Sequence, residues 1–174
     1  MRRSSTSLTI LALALATAST GVYAAQLEEI IVTAQKREQS LQDIPVTVSV
    51  TSGETIQRAG IVDLLDLQTS VPSLRVNQLQ SSAQTNFTIR GFGNGANNPG
   101  IEPAVSVYID GVPRSRSASS LADLPTVQRI EVLSGPQSTL FGKNASAGVI
   151  SVTTLLPEDE FGGMVEATAG NYGA

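Results

Sequence analysis

Residues 107–113, VYIDGVP, and residues 129–152, RIEVLSGPQSTLFGKNASAGVISV, decide the fold. Around the first, Val105, Val107 and Ile109 alternate with Ser106, Tyr108 and Asp110, a period of two that predicts a strand with two distinct faces. Asp110-Gly111 is a turn pair, and Pro113, which has no N–H to donate, prevents simple continuation of the strand. In the second stretch Arg129 to Leu133 predicts a strand broken by Gly135-Pro136. Ser138 to Phe141 makes about one helical turn that Gly142 releases, and Asn144 to Gly148 is a small-residue loop before a last core strand over Val149 to Thr153. Short strands and single helical turns punctuated by Gly and Pro predict an α+β domain: a small mixed β-sheet with short helices and long polar loops.

Upstream the same alternation appears after Pro45, where Val46, Val48 and Val50 interleave with Thr47 and Ser49. Thr51 and Glu54 offer a capping box for a helix running to about Arg58 and stopped by Gly60. A second helix is expected over Val62 to Thr69, ended by Pro72, with Leu64, Leu65 and Leu67 near one face. Leu74 to Val76 and Phe87 to Arg90 are further candidate strands, and a short helix is expected near Leu121 to Leu124. Between the strands lie two amide-rich, charge-poor stretches, Asn77 to Asn86 and Gly93 to Gly100, holding Gln78, Gln80, Gln84, Asn94, Asn97 and Asn98. Loops of this composition are either mobile surface or ligand-facing surface.

Composition excludes several chemistries. The 174 residues include neither Cys nor His, which removes the usual zinc ligand sets, thiol catalysis and a Ser-His-Asp triad together. Gly91 to Ala96 fits the glycine spacing of a dinucleotide loop, but Asn97-Asn98-Pro99-Gly100 cannot open the helix such a loop needs. Glu158, Asp159 and Glu160 lack the glycine-containing loop of a calcium site and read as a solvated hinge. No acid pair is placed for general acid/base work, so no enzyme, resident metal or cofactor is expected.

The N-terminus reads as an export leader. Arg2 and Arg3 precede an apolar run from Leu8 to Ala18, and Val22-Tyr23-Ala24 suits cleavage after residue 24. Loss of residues 1–24 removes two Arg and no acid, taking the formal charge from −4 to −6. An acidic chain whose local basic group is Arg114 and Arg116 among serines, a solvated loop by its composition, is a poor nucleic-acid ligand. Residues 25–43 read as a flexible arm, 44–156 as the folded domain, and 157–174 as a hinge followed by an alternating segment (Val165, Ala167, Ala169) that suits the start of a barrel strand.

Three stretches in one order, EEIIVTAQKREQSLQDIPVTVSV at 28–50, FTIRGFG at 87–93, and VYIDGVP with RIEVLSGPQSTLFGKNASAGVISV, are those of a known family. From Gln26 almost to its end the chain resembles the plug region of TonB-dependent outer-membrane receptors. The resemblance implies a plug seated in a roughly 22-stranded β-barrel and gating uptake of a scarce, bulky small molecule or metal chelate, with siderophore-bound iron as the default. It implies a cell outer-membrane location, periplasmic exposure of the arm, and the C-terminal domain of TonB as partner.

The segment matching the TonB box is Glu29, Ile30, Ile31, Val32, Thr33 and Ala34, whose β-branched residues suit strand addition to a partner sheet. Its plainer reading is an edge strand of the plug. Arg90 matches a plug–barrel contact, with an ordinary surface ion pair as the alternative, and Ser134 stands where the family usually carries a second Arg. A barrel of that size needs on the order of 200 residues, far more than follow the hinge. The expectation is therefore a fragment, a truncated product or a plug-only protein, with a freestanding periplasmic interaction module as the rival function.

Overall fold

The computed structural model describes residues 31–32, 37, 39–94, 100–120, 124, 126–157 and 162–163. The leader, Glu29, Ile30, Thr33, Ala34, Asn97, Asn98, most of the expected Leu121–Leu124 helix, the acidic hinge residues and the expected barrel strand lie outside them.

A five-stranded mixed sheet organises the domain. Its strands are β3 (Val48–Ser52), β7 (Val105–Ile109), β8 (Val112–Arg114), β9 (Val127–Ser134) and β10 (Gly148–Thr154), in the order β3-β9-β10-β7-β8. Only β10 and β7 run parallel. A three-stranded antiparallel sheet, β4 (Leu74–Gln78), β5 (Thr85–Ile89) and β6 (Phe92–Gly93), is the second layer. The arm supplies a two-residue hairpin in which β1 (Ile31–Val32) pairs with β2 (Gln39–Ser40).

The five-stranded sheet is buried on both faces, and its central strands β9 and β10 send apolar residues to each of them. One face, with Val105, Val107, Ile130, Val132, Ile150 and Val152, packs against Leu64, Leu67, Leu74, Phe87 and Ile89 of the second layer. The opposite face, with Tyr108, Leu133 and Val149, packs against Val32, Ile44, Phe141 and Ala145. The layers meet closely at Gly148: a Cβ there would lie 2.4 Å from the Leu133 carbonyl oxygen and 2.6 Å from Ile89 Cδ1.

Several local expectations shift. The first helix, α1 (Gly53–Ala59), is capped by Ser52 and not by Thr51: the Ser52 hydroxyl accepts the Thr55 N–H, while Thr51 stays buried in β3. Cross-strand pairing with β9 runs on through Ser52, so the helix begins only at Gly53 and Ser52 takes the cap position. Gly60 ends α1 in the left-handed conformation, φ 64°, as its position predicts. The second helix shrinks to a 3-10 turn at Asp66–Thr69, because Asp63 accepts the Leu65 and Asp66 N–H groups and forms a local turn in competition with a helix. Pro113 does not end the sheet: it sits in β8, an edge strand where its missing donor costs nothing. α2 is Ser138–Phe141, as the sequence indicates.

Candidate functional site

Among its described residues the arm is anchored by Val32. Val32 is fully buried against the second core, while Ile31 beside it is half exposed. Ile31 borders an open groove of about 710 Å³ whose other walls include Val50 on the free edge of β3, Arg129 and Leu155. Fully burying a valine is worth about 1.5–3 kcal/mol, so this anchor is strong for so short a strand, yet small enough for a partner to reverse.

Two hairpins place the remaining charged side chains, and their difference is informative. Ile109 pairs with Val112 across Asp110-Gly111, and Ile89 pairs with Phe92 across Arg90-Gly91. In both turns the two loop residues have positive φ, 49° and 78° in the first and 54° and 81° in the second. This is the two-residue connection that matches strand twist, and Asp-Gly is a preferred sequence for it. Asp110 is also used structurally, its carboxylate accepting from the Thr154 N–H at 2.9 Å and hydroxyl at 2.8 Å.

Arg90 has no such justification. A Cβ-bearing residue in the left-handed region costs about 1–2 kcal/mol, Asn and Asp being the tolerated exceptions. The Arg90 side chain is exposed and has no partner among the described residues. Beside it lie the 71% exposed Phe92 and an apolar cleft of about 330 Å³ floored by Pro136, Ser146 and Ala147. Among the described residues nothing offsets this strain. Arg90→Asn should therefore stabilise the isolated chain by about 0.5–1 kcal/mol, measured by urea unfolding. Destabilisation would show that the guanidinium has a structural partner within the domain.

The amide-rich residues divide. Gln78 closes β4 opposite Thr85, so the stretch 77–86 is a loop only between Leu79 and Gln84; Asn77 and Asn86 form a cross-strand pair. Gln80 is exposed and Gln84 half-buried. Asn94 is tied down, its amide donating to the Glu102 carbonyl oxygen. Ser134, in place of a second basic anchor, is buried at the end of β9, where its N–H donates to Thr47.

Sequence reading missed one feature in the central sheet. Glu131 is fully buried in β9, between Val50 and Ser151 in the cross-strand register, and Arg129 Nε donates to its Oε1 at 2.7 Å. The signal was available, since an acid inside Ile-Glu-Val-Leu on a two-faced buried strand must carry its partner with it. Tyr108, which packs edge-on to Phe141 with ring centres 5.1 Å apart and donates its hydroxyl to the Phe141 carbonyl, joins β7 to α2 in the same core.

The described residues thus form a docked N-terminal strand, a two-layer sheet core and an exposed arginine beside an apolar cleft. The family model described as TonB-dependent Receptor Plug Domain matches residues 40–149, and the chain belongs to that family. It is 31% identical over 138 residues to the pesticin receptor of Yersinia pestis, covering 79% of this chain and 20% of the relative. To the vitamin B12 transporter BtuB of Vibrio vulnificus it is 30% identical over 149 residues, covering 83% and 23%. Among solved structures, the ferric yersiniabactin uptake receptor FyuA from Yersinia pestis superimposes with a TM-score of 0.61 at 31% identity, over 66% of this chain and 18% of that one. The ferripyoverdine receptor of Pseudomonas aeruginosa shares the fold, with a TM-score of 0.61 at 19% identity over 76% and 17%. These relatives are receptors and a transporter, not enzymes, and this chain spans about a fifth of the length of the curated relatives it matches.

Proposed function

We propose that this chain is the plug of an energy-coupled receptor in the outer membrane, gating uptake of a scarce metal chelate, with siderophore-bound iron the first candidate. Residues 29–34 serve as the TonB-coupling segment and Arg90 as an anchor to the surrounding barrel. The observation that carries this reading is the arm: a short β-prone strand on a plug-family core, fastened by Val32 while Ile31 faces an open groove. Such an arm can be exchanged from an internal contact to a partner strand at modest cost. The relatives named above support the transport class, and their ligands range from ferric siderophores to vitamin B12, which is why the substrate is stated as a class.

Strand addition over six residues, at roughly 0.5–1.5 kcal/mol per hydrogen bond, leaves only a few kcal/mol after ordering and release of Val32. Binding of the chain to the TonB C-terminal domain should therefore be micromolar or weaker, where about −8 kcal/mol corresponds to micromolar. Calorimetric titration with and without residues 29–34 is the test. Binding that does not depend on those residues would remove the coupling role from the arm.

A further inference from the structure

The turn between β5 and β6 meets the break between β9 and β10 at the small apolar cleft of about 330 Å³. Its floor is Pro136 and Ala147 with the buried Ile89, and Arg90, Phe92 and Ser146 line it on the exposed side. A cavity of about 150 Å³ already takes up benzene, so one aromatic or branched side chain fits here. The backbone donors of the floor are spent. Gly135 N–H donates to the Ala147 carbonyl at 3.1 Å, Gln137 N–H to Ala145 at 2.8 Å and Ala147 N–H to Ala104 at 2.9 Å, while Pro136 has no N–H. A polar guest that entered would leave hydrogen bonds to water behind, so an apolar one is the better fit.

The rim adds one charge. Arg90 is exposed and has no partner among the described residues, and Phe92 beside it is exposed as well. Ser134, just before the Gly135-Pro136 break, is buried and its N–H donates to Thr47, so this end of β9 adds no cation. A single exposed ion pair changes an affinity by no more than about fivefold, whereas burying one apolar side chain is worth about tenfold to a hundredfold. Arg90 alone is thus a weak anchor, and Arg90 with a filled cleft is a strong one. Complementarity asks for a carboxylate at the turn and an apolar group in the cleft, side by side. Residues two apart on a β-strand present such a pair on one face.

We infer that the occupant is the inner wall of the receptor around this plug: a strand carrying a carboxylate and, two positions away, an aromatic or branched residue, the first meeting Arg90 and the second entering the cleft. This rests on the reading of Arg90 as an anchor to the barrel and adds the apolar half of the contact. The rest of a receptor is the source of the occupant because this chain spans about a fifth of the length of the relatives it matches.

Two measurements test it. The chain has no Cys, so Ser146→Cys puts a single thiol at the edge of the cleft. Its reaction with a maleimide, read by peptide mass, is compared in the 174-residue chain and in a receptor carrying this plug, with both unfolded as reference. The thiol should react at least about tenfold more slowly in the receptor, with or without substrate, and Arg90→Asn should speed it about threefold there and not in the isolated chain. The second measurement follows amide shifts of the isolated chain with phenylpropionate, phenylpropionamide and acetate. Phenylpropionate should shift Gly91, Phe92 and Ala147 and bind about threefold tighter than the amide, a preference lost in Arg90→Asn, and acetate should not bind measurably. Equal thiol reactivity in chain and receptor overturns the inference, and so does protection indifferent to Arg90→Asn. Protection that appears only with substrate makes the substrate the occupant and overturns the assignment to the wall. Equal binding of the acid and the amide removes the carboxylate from the partner, and acetate binding as well as phenylpropionate removes the apolar group. Each of these leaves the plug reading standing, because that reading is carried by the arm and tested by its titration with the TonB domain.

Discussion

If the arm couples the plug to TonB as proposed, proline in place of Val32 should abolish energy-dependent uptake by a receptor carrying this plug, while substrate binding at the cell surface is retained. Proline removes the N–H needed by an added strand and holds φ near −65°, so it defeats pairing with any partner. Val32→Asp is the informative companion. It makes burial of the arm against Leu133, Val149 and Phe141 unfavourable, yet leaves the backbone free to pair. Val32 docking is worth about 1.5–3 kcal/mol, and a partner that needs the released arm sees its affinity reduced by the released fraction. Val32→Asp should thus bind the TonB C-terminal domain about tenfold or more tightly than the natural chain, and Val32→Pro should bind it no better. Ile31→Val should change little, since Ile31 is half exposed and the contact is made chiefly by main-chain atoms. Uptake assays paired with surface binding, and calorimetry on the isolated chain, decide the matter. Normal transport by Val32→Pro would show that coupling lies elsewhere.

The second large effect is on stability. Arg129→Met leaves Glu131, which is fully buried, without the guanidinium that meets it at 2.7 Å. Removing one member of a buried ion pair costs about 3–5 kcal/mol, against a total of about 5–15 kcal/mol for a domain. The variant should therefore be largely unfolded near its normal melting temperature. Adding Glu131→Gln to Arg129→Met removes the stranded charge and should recover most of the loss, because an amide between Val50 and Ser151 needs only hydrogen bonds. Urea unfolding of the two single variants and the double variant measures the coupling directly. A cost below about 1 kcal/mol for Arg129→Met would mean that water reaches Glu131.

What the amino-acid sequence determined by itself was local. Period-two alternation located β7 and part of β3, breaks at Gly135-Pro136 and the small-residue loop at 144–148 bounded β9 and β10, Gly60 marked the end of α1, and Ser138 to Phe141 was legible as one helical turn. Each of these depends on neighbours within a few residues, where propensity and turn chemistry act directly. The ordered motifs were also enough to identify the family.

Tertiary structure decided the rest, because it depended on which distant groups meet. Cross-strand pairing with β9 moved the helix cap from Thr51 to Ser52, and pairing across β4 and β5 turned much of an expected loop into strand. The parallel contact of β7 with β10 joins residues some forty positions apart and has no local signature. Glu131 and Arg129 are two residues apart in sequence, but the burial of Glu131 comes from its place between β3 and β10 in the sheet. Most consequential was Val32. As one of three consecutive apolar residues, Ile30 to Val32, in an otherwise polar arm it carries no mark of whether it is free or docked, and the pocket left by Leu133, Val149 and Phe141 makes burial the lower free-energy state.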